Sequence, residues 1–283
     1  MATFHVPETL DEALSLLAEL EDTMVYGGGT AIQILLKQGI LFTEHFIDIS
    51  RVPGLREISA DSDGVAVGPL VTLRQMETDA RVRSVAPLAS STYAEVANPR
   101  VRNTASVAGN IAHGDYRLDP PTALVVLDAT VQLSSVRGQR EVSAREFFVD
   151  FQVTEVQHDE MITGIRIPKQ PSTAGAFVKY SSLAENDWPC ASAAVLAVPG
   201  DASGEPTEVR IGLGALAPTT RYLAIDIDPG TTDQDAVDAA IDIANTAIDP
   251  IEDIRGSATY KAHLGRVAVE EAVRAVMKEL QDA

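Results

Sequence analysis

Cysteine is nearly absent: Cys190 is the only one in 283 residues. It cannot form an intrachain disulfide. A lone thiolate also cannot hold an iron–sulfur cluster, which needs about four. Cys190 lies in the apolar run WPCASAAVLAV, where a packed core thiol is expected ahead of a nucleophile. Histidine is sparse too. His5, His45, His113, His158 and His263 stand in no zinc-ligand spacing with one another or with Cys190, so no metal site is expected. No apolar run approaches the roughly 18 residues that cross a bilayer. The start, MATFHVPETL, has no basic stretch leading into an apolar core, so a cytoplasmic location without membrane insertion is expected. Positive charge is short as well, with 22 Lys and Arg against 41 Asp and Glu and a net charge of −19. Nucleic-acid binding rests on Lys and Arg neutralising phosphates, and anionic membranes attract basic clusters. Both are disfavoured as partners. Between Arg221 and Arg255 there are nine acids and no Lys or Arg. A solvated acidic face is the first reading, and a docking surface for a basic partner the second.

What remains is ordinary globular material, long enough for two domains and a sizeable core. One stretch is not ordinary. Val101–Ala129 runs small residues (Ala105, Ser106, Ala108, Gly109), two amides (Asn103, Asn110) and His113 into an Asp119-Pro120-Pro121 stop, with no apolar period. Small residues without a period mean that another body approaches the backbone closely.

The rest reads by period. Thr9–Glu12 is a capping box opening a helix with Leu10, Ala13, Leu14 and Leu17 on one face. A short strand, Thr23–Tyr26, runs into Gly27-Gly28-Gly29-Thr30. A helix over 31–38 and a strand over 45–49 follow, which makes a crossover unit with a parallel pair. Glycines between a strand and a helix let backbone N–H groups point at an anion, and the helix dipole adds to this. A diphosphate suits such a loop; a tight turn is the other reading. A hairpin is expected around 61–64, a second capping box at Thr72–Gln75, a helix over 87–97, and strands over 130–134, 140–142 and 161–167. PKQPST at 168–173 is the linker candidate. Beyond it the pattern predicts three strands, at 176–181, 190–198 and 208–215, then helices over 233–248 and 257–280. The fold class is α+β. The domains are placed at 1–170, divided at residue 52, and 171–283. Gly212-Leu-Gly214-Ala-Leu-Ala217 matches a GxGxxA dinucleotide fingerprint, but no helix opens there, so it reads as strand.

GGGT at 27–30, followed by RNTASVAGNIAHGDYRLDPPTALVVLDA at 102–129, resembles the FAD-binding domain of the molybdenum hydroxylases, such as xanthine dehydrogenase and carbon monoxide dehydrogenase. DEMITGIRIP at 159–168, FVKYSSLAENDWPCASAAVLA at 177–197 and IRGSATYKAHLGRVAVEEAVRA at 254–275 extend the resemblance over nearly the whole chain. The length is similar to that of the family's separate medium subunit.

The resemblance implies a two-part FAD-binding domain, a small βαβ unit plus a larger mixed part, followed by a C-terminal three-stranded antiparallel sheet with helices. It implies that Val25, Tyr26, Gly27, Gly28, Gly29, Thr30, Ala31 and Ile32 wrap the FAD pyrophosphate with backbone N–H groups. Ser106, Ala108, Gly109 and Asn110 would form a second loop against the same diphosphate. Asp119 would accept from ribityl or ribose hydroxyls, Ile162 would pack near the flavin and Lys179 would lie close to its ring. His113 is read as ordering its loop by a hydrogen bond. Two positions depart from the family: Ala108 replaces a glycine, which strains the loop if φ there is positive, and Tyr116 lies where family members often carry a small residue or proline nearby. The implied function is the flavin subunit of a heteromeric molybdenum hydroxylase, with [2Fe–2S] clusters on a small partner chain and the molybdenum pterin cofactor on a large one, assembled as a dimer of heterotrimers. Electrons from the clusters would reach FAD and leave to NAD, a quinone or another carrier. A stand-alone FAD oxidoreductase and a non-catalytic nucleotide-binding scaffold are the alternatives.

Overall fold

The structure is a computed structural model and describes residues 2–172, 174–184, 186–200 and 204–282. The first unit contains β1 (Thr3–His5), α1 (Leu10–Glu19), β2 (Thr23–Tyr26), α2 (Thr30–Lys37) and β3 (His45–Asp48). Its strands lie in the order β1-β3-β2, parallel in both pairings. Thr9 caps α1 by accepting from the Glu12 N–H at 3.2 Å. Glu12 reaches back to the Glu8 N–H, so the expected box closes one residue early. Helix α1 buries Ala13, Leu14 and Leu17, as its period dictates. Helix α2 buries nothing completely.

The second unit contains β4 (Ile58–Ala60), β5 (Gly64–Val67), α3 (Leu73–Thr78), α4 (Ala80–Val85), α5 (Pro87–Ala94), α6 (Pro99–Arg102), α7 (Val107–Ala112), α8 (Asp119–Val126), β6 (Thr130–Ser135), β7 (Gly138–Ser143), α9 (Ala144–Phe147), β8 (Phe148–Asp150), β9 (Val153–Thr154) and β10 (Met161–Pro168). Five strands make an antiparallel sheet in the order β4-β5-β10-β6-β7. The Thr72–Gln75 capping box forms in full at the start of α3. The aperiodic stretch resolves into the end of α6 and two further helices, α7 and α8. Asp119-Pro120-Pro121 does not stop a helix; it is the first turn of α8, where missing proline N–H groups cost nothing. All eight residues of α8 are buried. A helix packed on every side has no polar face, which is why no period was visible.

The third unit contains β11 (Gly175–Tyr180), β12 (Ala191–Val198), β13 (Thr207–Gly214), β14 (Arg221–Ile227), α10 (Asp233–Asn245) and α11 (Ala258–Asp282). Thr173, in the expected linker, lies outside the described residues. The sheet has four antiparallel strands, not the three expected from the sequence. The extra strand, β14, is an edge: Arg221, Ala224 and Asp226 face solvent, and its apolar residues are mostly half-buried. Such a strand lacks the continuous apolar run that marked β12 and carries the charge typical of an edge. The glycines at 212 and 214 lie in β13, as a strand reading requires.

The sheet is covered on both faces. Ala194 and Leu196 of β12 belong to the core of the second unit, whereas Ala193, Val195 and Ala197 pack with α10 and α11. Alternate residues of one strand therefore serve two cores, and a strand buried on both faces reads as a continuous apolar run. Cys190 is fully buried beside it. Among the described residues no helix is long and apolar enough to cross a membrane.

Candidate functional site

The site begins where β2 ends. Three glycines carry the chain from Tyr26 to Thr30, and two of them are required there. Gly29 has φ +71°, and a Cβ on it would lie 2.3 Å from the Tyr26 hydroxyl. A Cβ on Gly28 would lie 2.1 Å from the carbonyl oxygen of Thr104 and 3.0 Å from the Ser106 nitrogen. The loop after β2 thus rests directly on the loop before α7. The body that approaches the small-residue stretch is, at this point, the glycine loop itself.

The two loops differ in what they offer. In the second, the donors are spent. The N–H of Val107 bonds the Val71 carbonyl at 2.9 Å, that of Ala108 the Pro69 carbonyl at 3.2 Å, and that of Asn110 the Ser106 carbonyl at 2.9 Å. The Gly109 N–H goes to the Ser106 hydroxyl at 3.2 Å. In the first loop, no described hydrogen bond uses the N–H of Gly27, Gly28, Gly29, Thr30, Ala31 or Ile32. Successive unused amides at the start of an eight-residue helix concentrate positive potential. The first loop therefore supplies donors, and the second supplies small residues that permit close approach. Ala108 sits inside α7 and has no positive φ, so its methyl group introduces no strain.

A cavity of about 550 Å³ opens beside both loops. Val25, Gly27, Ala31 and Ile32 line it from the first unit, and Ser106, Ala108 and Gly109 from α7. Ile162, the second residue of β10, closes it from the sheet. The remaining wall is largely aliphatic, with Leu17, Met24, Leu35 and Leu70 prominent. Apolar walls with a few convergent polar groups suit a nucleotide cofactor, and the row of free amides suits its diphosphate.

Tyr26, Gly28, Gly29, Thr30 and Asn110 are not among the residues that line the cavity. Tyr26 accepts a hydrogen bond from Gln33, and Asn110 Oδ1 is buried without a partner. Asp119 and Lys179 also lie off the cavity wall, bound to each other. Lys179 Nζ is 2.7 Å from Asp119 Oδ2 and donates to the Glu95 carbonyl at 3.0 Å. Both side chains are 5% exposed. Burial pushes the Asp119 carboxyl up to about 6, even against the pull of Lys179. Its second oxygen, Oδ1, is buried with no protein partner, which leaves an acceptor for a hydroxyl.

Several wall residues had no motif to announce them. Pro69 and Leu70 arrive from the turn after β5, and Gln152, Thr154 and His158 from the β8–β9 hairpin and its exit. His113 lines the cavity too, but no described hydrogen bond uses its ring, so the expected loop-ordering bond is absent. Burial lowers its pKa. Tyr116 is 5% exposed and turns away from the cavity to pack edge-on against Phe151.

Residues 1–170 match the family described as the FAD binding domain in molybdopterin dehydrogenase, and residues 176–276 match the CO dehydrogenase flavoprotein C-terminal domain. The chain is 30% identical over 280 residues to the carbon monoxide dehydrogenase medium chain of Hydrogenophaga pseudoflava, covering 96% of each protein. It is 29% identical over 224 residues to a xanthine dehydrogenase FAD-binding subunit of Escherichia coli, covering 77% of this chain and 75% of that one. Its structure is similar to that of a reconstituted CO dehydrogenase from Oligotropha carboxidovorans, with a TM-score of 0.89, 27% identity and 98% of each chain covered.

Proposed function

The chain belongs to the FAD-binding medium subunits of the molybdopterin dehydrogenases, of the carbon monoxide dehydrogenase and xanthine dehydrogenase type, and from this membership we propose that it holds FAD between its two loops and carries electrons between partner chains and an external acceptor. It is a subunit of an oxidoreductase complex. The observation that carries the cofactor assignment is the run of six unused N–H groups, Gly27 to Ile32, beside an aliphatic cavity. A dinucleotide needs such donors at its diphosphate.

In this reading Val25 to Ile32 bind the pyrophosphate, with Thr30 adding its hydroxyl. Ser106, Ala108 and Gly109 let it approach α7, and the partnerless Oδ1 of Asn110 accepts from it or from bound water. Asp119 offers its free oxygen to a hydroxyl of the cofactor, Ile162 packs against the flavin, and Lys179 contributes the positive charge that electron uptake calls for. FAD held there would supply the redox chemistry for electron transfer between [2Fe–2S] clusters and NAD, a quinone or another carrier. The protein residues bind and orient it and exclude water. The clusters belong to an iron–sulfur small chain and the molybdenum pterin cofactor to a large chain, in a dimer of heterotrimers. The unit at 1–170, divided at residue 52, carries both loops and the cavity, and the unit at 171–283 contributes Lys179.

The assembly is tested by purification through a tag on this chain from its native host. The reading expects two co-eluting chains and the combined absorbance of flavin and [2Fe–2S]. Elution without an iron–sulfur partner contradicts the electron path.

A further inference from the structure

One polar ring on the cavity wall has no role in the contacts described so far. His113 is the C-cap of α7, and no described hydrogen bond uses its side chain. Trp188 meets its ring edge-on, with centroids 6.0 Å apart and planes at 87°. Trp188 is itself fixed: the Arg117 guanidinium stacks over its indole at 4.4 Å and pairs with the buried carboxylate of Asp115 at 2.6 Å. A ring held this firmly, with its nitrogens unspent, is preorganised to bind.

Helix α7 measures the distance involved. Ser106 caps its start and His113 its end, seven residues apart, or roughly 10 Å at 1.5 Å per residue. That is longer than a diphosphate. A pyrophosphate held at the glycine loop beside Ser106 therefore leaves His113 facing one of the cofactor's heterocyclic ends.

We propose that His113 is a cofactor-binding residue, acting as a neutral imidazole whose unprotonated ring nitrogen accepts one hydrogen bond from a ring N–H or amino group of the bound dinucleotide. This rests on the FAD reading above and adds a contact to it. Neutrality follows from the surroundings. Burial disfavours the charged ring, and the nearest charges, Asp115 and Arg117, act in opposite directions. Across the cavity, His158 and Glu160 are the other titratable groups on the wall. Because the neutral form binds, affinity holds above the pKa of His113 and falls as pH drops through it. That pKa lies below the ordinary histidine value.

The test is FAD titration of the flavin-stripped 283-residue chain, followed by flavin fluorescence across the pH range from 5 to 8. His113→Ala is expected to weaken binding about tenfold, the size of one hydrogen bond in a partly buried site. His113→Gln, which hydrogen-bonds without titrating, is expected to recover most of the loss and to flatten the low-pH fall. Parallel titrations with ADP and FMN assign the contact to the adenine or the flavin end, since one of the two loses the effect. Trp188 is the only tryptophan, and its emission reports that the wall behind the ring is intact in each variant. His113→Ala binding FAD as tightly as the parent, or a low-pH fall that persists in His113→Gln, overturns the proposal. A parent chain that takes up no FAD overturns instead the reading on which it rests.

Discussion

The Lys179–Asp119 pair shows how a single contact can be costly and still retained. Two charges taken from water recover the desolvation penalty only through their mutual attraction. Here the penalty wins, since the Asp119 carboxyl stays raised to about 6 with Lys179 at 2.7 Å. An acid with a raised folded-state pKa binds its proton more tightly in the native protein than in the unfolded one. Its contribution to stability therefore falls as pH rises from about 4 to about 6. Removing the partner sharpens this. Lys179→Met is expected to destabilise by about 3–5 kcal/mol at pH 8, where the carboxylate is left charged and alone. The loss should be clearly smaller at pH 5, where Asp119 carries its proton. Urea unfolding at the two pH values measures the difference, and an equal loss at both would contradict the account. Neither partner of this pair was legible as a partner in the sequence: 60 residues separate them, and only the packing of α8 against the C-terminal sheet brings them together. The motif residues Gly27–Thr30 and Ser106–Gly109 were legible because close backbone approach restricts residue type locally. The free ring of His113 was not, because the absence of a hydrogen bond leaves no pattern in the chain.

At the scale of elements, the two loops make one device from unequal parts. The loop after β2 keeps its amides free, while the loop into α7 spends its own on the turn after β5 and on Ser106. Their contact is set by Gly28, whose Cβ position lies 2.1 Å from a backbone oxygen that cannot rotate away. Gly28→Ala is accordingly expected to cost about 1–3 kcal/mol in stability, as overpacking does. It should also weaken FAD binding by more than tenfold, because parting the loops misaligns the donors. Thermal unfolding and flavin content check the two effects, and a variant with normal flavin content would show that the loops are not held in contact for binding. Element boundaries were readable wherever one face was wet: α1, α3 and the β6–β7 hairpin all follow their periods. They were unreadable at the extremes. Helix α8 has no wet face and hid its period, and β14 is an edge strand whose charges masked it.

For the whole molecule, the deciding feature is β12. Its alternate residues belong to two hydrophobic cores, one that reaches the cavity wall at Ile162 and one under α11. The two halves are thus not independently folded bodies. Calorimetry is expected to show a single unfolding transition. Leu196→Ala, a cavity of one leucine in that shared strand, should lower the whole transition by about 2–5 kcal/mol without splitting it. Two separate transitions in the parent would contradict the shared core. The strand itself was plain in the sequence as an apolar run, but a run buried on both faces does not say what covers it.

Six unused amides beside an aliphatic cavity are the proposed FAD site. The most direct measurement is the flavin bound to the purified chain after incubation with FAD, released by denaturation and quantified by absorbance. One FAD per chain, displaceable by excess ADP, is the predicted result. A colourless chain that takes up no added FAD, alone or in its native assembly, would contradict it.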